Sequence, residues 1–143
     1  MDCIFCKIVS KDIPSKILYE DDDIISFLDA FPVAKGHTLV IPKKHFSKIQ
    51  DLPFDINQKL FETVHKMTGK VDSLQGSTLI AIHNGKESGQ EVPHVHVHLI
   101  PRSDSDSAGP VHSMFKEKIE LTESEINMLY DTCLLYTSPS PRD

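Results

Sequence analysis

The alternation of apolar and polar residues along the first hundred positions predicts a protein built mainly on β-strands. Two apolar runs flank the Asp-rich turn at residues 21–23, which is the pattern of a β-hairpin. Pro42 and Pro101 are expected to end two further strands. Because neighbouring strands are joined by short links, we expect an antiparallel meander. The predicted strands cover residues 17–20, 24–28, 37–41, 78–82 and 92–100.

Apolar residues at helical spacing predict helices around these strands. They recur every three or four positions from Ile56 to Met67, so a long helix is expected from position 53 or 54 to about 71. A short helix capped by Asp2 is expected to end at Val9. The predicted fold class is therefore α+β, a five-stranded antiparallel sheet with a long helix and short terminal helices.

The C-terminal region changes character after position 132. Thr122, with Glu125 three residues later, has the spacing of a capping box that begins a helix. Alternating Ser and Pro residues after Cys133 break the amphipathic pattern. The segment 133–143 resembles translated adapter sequence, the alternative being a flexible native tail. We therefore predict one domain over residues 1–132, followed by a non-native tail.

Composition and charge limit the possible partners. The 143 residues carry a formal net charge of −6, which argues against a nucleic-acid partner held through many phosphates. No stretch reaches the roughly 18 apolar residues of a membrane helix, so no membrane partner is expected. The N-terminus lacks the features of a secretory signal. Three cysteines do not make a disulfide framework, and a cytoplasmic location is expected.

The fifth predicted strand carries a row of histidines, His94, His96 and His98, that alternate with apolar residues. Side chains alternate across a strand, so three imidazoles are expected on one face while Val95 and Val97 enter the core. Because like charges repel, at least one ring is expected to be neutral near pH 7. A neutral imidazole is a nucleophile and a cationic neighbour binds phosphate. An exposed polar strand face is the alternative.

A glycine-containing segment, residues 84–91, directly precedes the histidine row. Read alone it is a turn between strands, and its Gly-Lys-Ser spacing is not that of a P-loop. Glycines nonetheless allow backbone N–H groups to converge on an anion. The segment and the histidines together predict a phosphate-binding site.

These features together resemble the histidine-triad (HIT) family, and more narrowly its bacterial Hint-type branch. The resemblance runs from Cys3 to about Arg102 and covers segments 13–15, 27–29, 36–45 and 89–98. It implies a homodimer in which two five-stranded sheets join into one continuous sheet. It also implies nucleotide hydrolase or transferase chemistry at the α-phosphate of a purine nucleotide-type substrate.

The resemblance further implies roles for particular residues. His96 matches the nucleophile that attacks the α-phosphorus, and water then releases a nucleoside monophosphate. His98 matches the residue that contacts phosphate oxygens and helps to protonate the leaving group, and His37 a further histidine of the pocket. Asp29 matches the carboxylate that holds the ribose hydroxyls. The matched positions of the apolar base pocket and of the phosphate loop are Phe5, Ile8, Phe27, Ala30, Asn84, Gly89 and Gln90.

Glu91 departs from the family's pattern, in which Ser or Thr is common and its hydroxyl contacts the phosphate side of the substrate. An ionised carboxylate cannot donate a hydrogen bond, and it repels phosphate unless it turns away. We keep Glu91 among the nucleotide-binding positions, where its backbone N–H is able to serve. The resemblance does not fix the leaving-group preference.

Cys3 and Cys6 form a C-x-x-C pair, which by itself fits either a redox dithiol or half of a zinc site. Zinc-bearing bacterial members of the resembled family supply two further ligands, which match His45 and His94. The resemblance thus implies a structural zinc site that ties the N-terminal helix to the sheet, with free thiols as the alternative. With zinc bound, His94 is structural rather than catalytic.

Two classes of function are consistent with the sequence. One is an enzyme that hydrolyses nucleoside phosphoramidates or dinucleoside polyphosphates through an intermediate on His96. The other is a nucleotide-binding regulatory or scaffold dimer with little turnover. A catalytic metal held by the histidine row is a third, less favoured arrangement.

Overall fold

The computed structural model describes residues 2–135, which form two compact units divided between Asp106 and Ser107. The first unit confirms the predicted α+β class with a five-stranded antiparallel sheet. Its elements are α1 (Ile4–Val9), β1 (Ile17–Glu20), β2 (Ile24–Leu28), β3 (Thr38–Pro42), α2 (Phe54–Gln75), β4 (Thr78–Ile82) and β5 (Val97–Pro101). Among the described residues, no helix has the length and apolar character needed to cross a membrane.

The strand order is β1-β2-β3-β5-β4, which corrects the expected simple meander. The first three strands do follow one another, and β1 and β2 form the predicted hairpin. β5 then pairs with β3 on one side and with β4 on the other. The long helix α2 connects β3 to β4, and this connection allows β4 to reach the far edge.

Apolar side chains bury both faces of the sheet. On one face, Leu60, Val64 and Met67 of α2 pack against alternate residues of the central strands, including Val40 and Val97. On the other face, residues of α1 pack against the intervening positions. The second cluster is formed by Cys3, Phe5, Ile8, Ile25, Phe27, Leu39 and Ile41. Alternate residues of β2 and β3 therefore pack into two different cores, one on each face of the sheet.

β5 begins at Val97, five residues after the predicted start. Pro93 has no backbone N–H to contribute to a ladder, and the N–H of Val95 donates to the carbonyl of Phe46 outside the sheet, at 2.7 Å. The alternation nevertheless continues through this approach segment. Val95 and Val97 lie in the α2 core as predicted, so the intervening histidines face the α1 side.

Helix ends differ from the sequence-based expectation at two places. The N-cap of α1 is Cys3 rather than Asp2, and its Sγ accepts a hydrogen bond from the N–H of Cys6. α2 continues to Gln75 and ends at Gly76, which has a φ of +88°. A left-handed glycine after the last turn is a common helix stop.

The second unit contains α3 (Glu123–Cys133), which begins at the predicted capping box of Thr122 and Glu125. The predicted non-native tail, residues 133–143, lies outside the described residues from position 136 onward. Its origin and the domain boundary at residue 132 stay predictions.

Candidate active site

A cavity of about 420 Å³ lies beside α1, within the ~300–1,000 Å³ range of small-molecule sites. Strand ends and adjoining loops supply its polar side chains, which are Asp29, His37, His83, Glu91, His96 and His98. Its apolar lining is Ile4, Phe5, Phe31, Val33, Leu39 and Val92. Seven of the predicted site residues, including Gly89 at the cavity edge, thus share one pocket.

The buried ring of His96 is held in one tautomer by a backbone contact. Its Nδ1 lies 2.7 Å from the carbonyl oxygen of His94, which can only accept, so Nδ1 carries the proton. The ring packs edge-on against Phe5, with 4.9 Å between centroids. The remaining nitrogen, Nε2, therefore has a free lone pair on a ring that lines the cavity.

His37 and His98 form a directed hydrogen-bond chain in their neutral forms. Nδ1 of His37 accepts from the N–H of Val33 at 3.1 Å, so its proton resides on Nε2. This Nε2 donates to Nδ1 of His98 at 2.9 Å and lies 3.4 Å from Oδ2 of Asp29. His98 must then carry its own proton on Nε2, which makes that nitrogen a donor.

Burial favours the neutral forms of His37, His96 and His98. It lowers the pKa of His98 to about 4, assisted by repulsion from the neighbouring histidines. Burial also lowers the pKa of His96, where the hydrogen bond to the carbonyl acts in the opposite direction. The pKa of His37 is lowered by burial, while Asp29 partly offsets this. The lowered pKa values of His96 and His98 agree with the expectation of at least one neutral ring in the histidine row, and they do not support the expected cationic neighbour.

Asp29 has two roles in the structure. Its Oδ1 accepts from the N–H of Phe31 at 2.8 Å and thereby fixes the turn after β2. Its Oδ2 is near His37, and the side chain lines the cavity. The turn-fixing role and the predicted substrate-facing role are thus compatible.

The loop before the histidine row is braced against the connection between β3 and α2. The side-chain amide of Gln90 accepts from the N–H of Gly85 and donates to the carbonyl of Ser47, both at 2.8 Å. Asn84 bonds to the N–H of Ile49 and to the side chain of Gln50. These two predicted phosphate contacts have their side chains engaged within the protein.

Cys3, Cys6, His45 and His94 converge at the start of α1, with their ligand atoms all within 4.8 Å of one another. Nδ1 of His94 lies 3.4 Å from Sγ of Cys3, and Nδ1 of His45 lies 3.5 Å from Sγ of Cys6. Zinc bonds of about 2.0–2.3 Å in a tetrahedron require ligand separations of ~3.5 Å. The four residues could therefore hold a metal ion.

The tautomer of His94 suits metal binding. Its Nε2 donates to the carbonyl of Pro42 at 2.8 Å, which leaves the Nδ1 lone pair directed at the two sulfur atoms. Burial and the adjacent Cys3 raise the pKa of the Cys6 thiol. A bound cation would offset this effect by stabilising the thiolate.

Comparison with known proteins identifies the family. The HIT domain matches residues 10–105. The chain belongs to the HIT family. An uncharacterized HIT-like protein of Methanocaldococcus jannaschii is 43% identical over 106 residues, which are 73% of this chain and 81% of that protein. The adenosine 5'-monophosphoramidase of Schizosaccharomyces pombe is 36% identical over 131 residues, 89% of this chain and 97% of the yeast protein.

Solved HIT structures share the fold. A HIT family member from Bacillus subtilis superposes with a TM-score of 0.81 at 32% identity, covering 92% of this chain and 94% of that one. A Zn-bound histidine triad family protein from Mycobacterium smegmatis has a TM-score of 0.65 at 37% identity. That match covers 75% of this chain and 79% of the mycobacterial one.

Three predicted base-pocket residues of this HIT protein lie outside the cavity lining. Ile8 and Phe27 are buried in the α1 core behind it, and Ala30 is exposed. The apolar wall beside Phe5 is instead completed by Ile4, Phe31, Val33, Leu39 and Val92. The hydrophobic pattern of the sequence could not identify these residues, because apolar side chains that line an open pocket have the same pattern as other exposed apolar side chains.

His83 is the polar cavity residue that the sequence interpretation missed. It directly follows β4, and its ring lies 5.3 Å from that of His98, centroid to centroid. Because β4 pairs antiparallel with β5, residues at the end of β4 are brought beside the histidine row. Had the sequence predicted that β4 pairs with β5, His83 would have been expected beside the histidine row.

Proposed function

We propose that this HIT protein is a nucleotidyl hydrolase that acts at the α-phosphate of nucleoside phosphoramidates or dinucleoside polyphosphates. The observation that carries the proposal is the fixed tautomer of His96. Its Nδ1–H is held by a carbonyl, and its unprotonated Nε2 belongs to a ring in a nucleotide-sized cavity. Such a nitrogen is a nucleophile at neutral pH without prior removal of a proton.

The proposed reaction has two displacements at phosphorus. Nε2 of His96 attacks the α-phosphorus and the leaving group departs, which gives a nucleotidyl-histidine. Water then attacks the same phosphorus and releases a nucleoside monophosphate with His96 restored. Both steps depend on positioning and on stabilisation of charge on the phosphate oxygens.

The neighbouring groups have distinct proposed roles. His98 donates from Nε2 to a phosphate oxygen, because its Nδ1 is already occupied as an acceptor from His37. Asp29 holds the ribose hydroxyls and keeps His37 in place. The apolar wall around Phe5 receives the base. The backbone N–H groups of Gly89 and Gln90 donate to carbonyls within the loop, so the proposed backbone contact to phosphate is the N–H of Glu91. The side chains of Asn84 and Gln90 hold the loop that presents it.

The choice of phosphoramidates is supported by two observations. Fungal relatives bear the name adenosine 5'-monophosphoramidase. In addition, Glu91 lines the cavity, and a carboxylate there repels the extra phosphates of a dinucleoside polyphosphate but not an amine. We therefore place phosphoramidates first.

Incubation with an adenosine phosphoramidate and with a dinucleoside polyphosphate tests the proposal. The wild type should release the nucleoside monophosphate, and His96→Ala should lower kcat by at least roughly 1,000-fold. His112→Ala, at an exposed histidine outside the cavity, is the matched control and should keep wild-type activity. Equal turnover by His96→Ala would reject His96 as nucleophile. Tight nucleotide binding by an inactive wild type would favour the regulatory or scaffold function instead.

A structural zinc ion at Cys3, Cys6, His45 and His94 is part of the proposal. The donor set, its ~3.5 Å separations and the tautomer of His94 fit zinc, and one HIT neighbour is Zn-bound. The metal would link α1 to the approach of β5. Cys6→Ser should lose zinc on purification and lower the melting temperature by at least roughly 5 °C, whereas Cys133→Ser should do neither. Full zinc content in Cys6→Ser would exclude this site.

A homodimer joined through the edge of β4 is also proposed. β4 has unbroken pairing with β5, and its Leu79 and Ile80 expose 37% and 48% of their surfaces. The other edge, β1, has a register shift between Ile17 and Tyr19 that makes it less suited to pairing. The cytoplasmic location stays a prediction, as does the absence of nucleic-acid and membrane partners.

A further inference from the structure

His83 differs from the other histidines of the cavity in its hydrogen bonding. The rings of His37, His96 and His98 each have at least one nitrogen engaged with another protein group. Over residues 2–135, the hydrogen bonds of the structure leave both nitrogens of the half-buried His83 ring without a protein partner. Both are therefore available to a bound molecule.

The surrounding backbone makes room for this ring. Gly89 has a φ of +108°, and a Cβ on it would lie 3.3 Å from Cδ2 of His83. The His83 ring thus packs against the loop proposed to contact phosphate, and it meets the ring of His98 at an angle of 65°. A leaving group bonded to the phosphorus of a substrate would lie between this loop and the histidine row, next to His83.

The other polar residues of the cavity have different engagements. Asp29 and Glu91 line the same cavity, and Nδ1 of His98 is occupied as an acceptor from Nε2 of His37 at 2.9 Å. The family resemblance also gave His98 a part in protonating the leaving group, but its Nε2 is assigned above to a phosphate oxygen, which leaves His83 for the leaving group. An amine leaving group needs a proton, because an amide anion is too basic to depart from phosphorus.

We propose that His83 is the general acid for the amine leaving group, an inference that rests on the proposed phosphoramidase function. As Nε2 of His96 bonds to phosphorus, the P–N bond breaks and its electron pair takes a proton from the His83 imidazolium. The amine leaves neutral, and His83 becomes neutral. In the second step the attacking water gives its proton to His83, its oxygen bonds to phosphorus, and the P–N bond to His96 breaks.

Two substrates with the same nucleotidyl group separate this role from simple binding. One is an adenosine 5'-phosphoramidate of an alkylamine, and the other is the 4-nitrophenyl ester of adenosine monophosphate, whose leaving group needs no proton. His83→Gln keeps a hydrogen-bond donor but cannot transfer a proton. Its kcat/KM should fall at least ~100-fold for the amine and less than ~10-fold for the ester. His112→Gln is the matched control.

The outcomes separate the two proposals. Losses of similar size on both substrates, or none, would overturn the role of His83 while leaving the hydrolase intact. A wild type that hydrolyses neither substrate would overturn the proposed function and this inference with it. Far-UV circular dichroism checks that His83→Gln is folded. If it is not, His83→Asn provides the same comparison with a smaller side chain.

Discussion

His94 connects the candidate metal centre with the proposed nucleophile through a single residue. Its side chain belongs to the Cys3–Cys6–His45 cluster, and its backbone carbonyl fixes the tautomer of His96. The imidazole of His94 is itself held by Pro42. Residues in the cluster therefore help to position the ring of the proposed nucleophile, as outer groups do in many metal sites.

The half-buried ring of His98 should make stability depend on pH. Its pKa is about 4 in the folded chain against an ordinary value of 6.5. Below pH 6.5 the unfolded chain gains a proton here that the folded chain does not bind, so the free energy of unfolding falls as the pH falls toward 4. In His98→Gln, the free energy of unfolding should fall by about 1–2 kcal/mol less than in the wild type over this pH range. This figure is reduced to allow for the partial solvent exposure of the ring.

Urea denaturation of the wild type and of His98→Gln at pH 7 and pH 4.5 measures this contribution. The difference in stability between the two pH values should be smaller for the variant. A variant with the same pH dependence as the wild type would show that His98 titrates normally in the folded chain.

At the scale of elements, the start of β3 depends on a glycine. Gly36 has a φ of +97°, and a Cβ there would collide with the side chain of Leu74 and lie 3.3 Å from Cγ of Pro101. Gly36→Ala should therefore destabilise the chain by about 1–3 kcal/mol. Gly69, within α2, has open space at the same position, so Gly69→Ala should stabilise by up to ~1 kcal/mol.

Urea denaturation midpoints of the two glycine variants test this contrast. Both variants make the same change from Gly to Ala. Changes in stability of opposite sign would therefore arise from the local backbone conformation and packing. Equal effects would contradict the assignment of strain to Gly36.

Sequence reasoning predicted elements better than their arrangement. The alternation around His96 and the spacing of Leu60 and Val64 are local signals, so strands, helices and buried faces could be predicted. The insertion of β5 between β3 and β4 depends on long-range pairing, which local periodicity does not encode. Two adjacent residues show why site residues were assigned less well. His83 lines the cavity but was not predicted, whereas Asn84 was predicted to contact phosphate and instead donates to the side chain of Gln50.

At the scale of the whole molecule, the proposed dimer through the edge of β4 predicts that one substitution converts the dimer to a monomer. Ile80→Lys places a charge on the exposed edge of β4, and charged edge residues oppose strand pairing. The wild type should have the mass of a dimer by light scattering, and the variant that of a monomer at micromolar concentration. A dimeric, folded Ile80→Lys would exclude this edge as the interface.

The central claim is that hydrolysis passes through a covalent bond between His96 and phosphorus. The stereochemical course at the α-phosphorus tests it most directly, using a phosphoramidate made chiral there with sulfur and hydrolysed in water labelled with heavy oxygen. Each in-line displacement inverts phosphorus, so two displacements predict overall retention. Inversion would mean that water attacks the substrate directly, which would contradict the nucleotidyl-histidine.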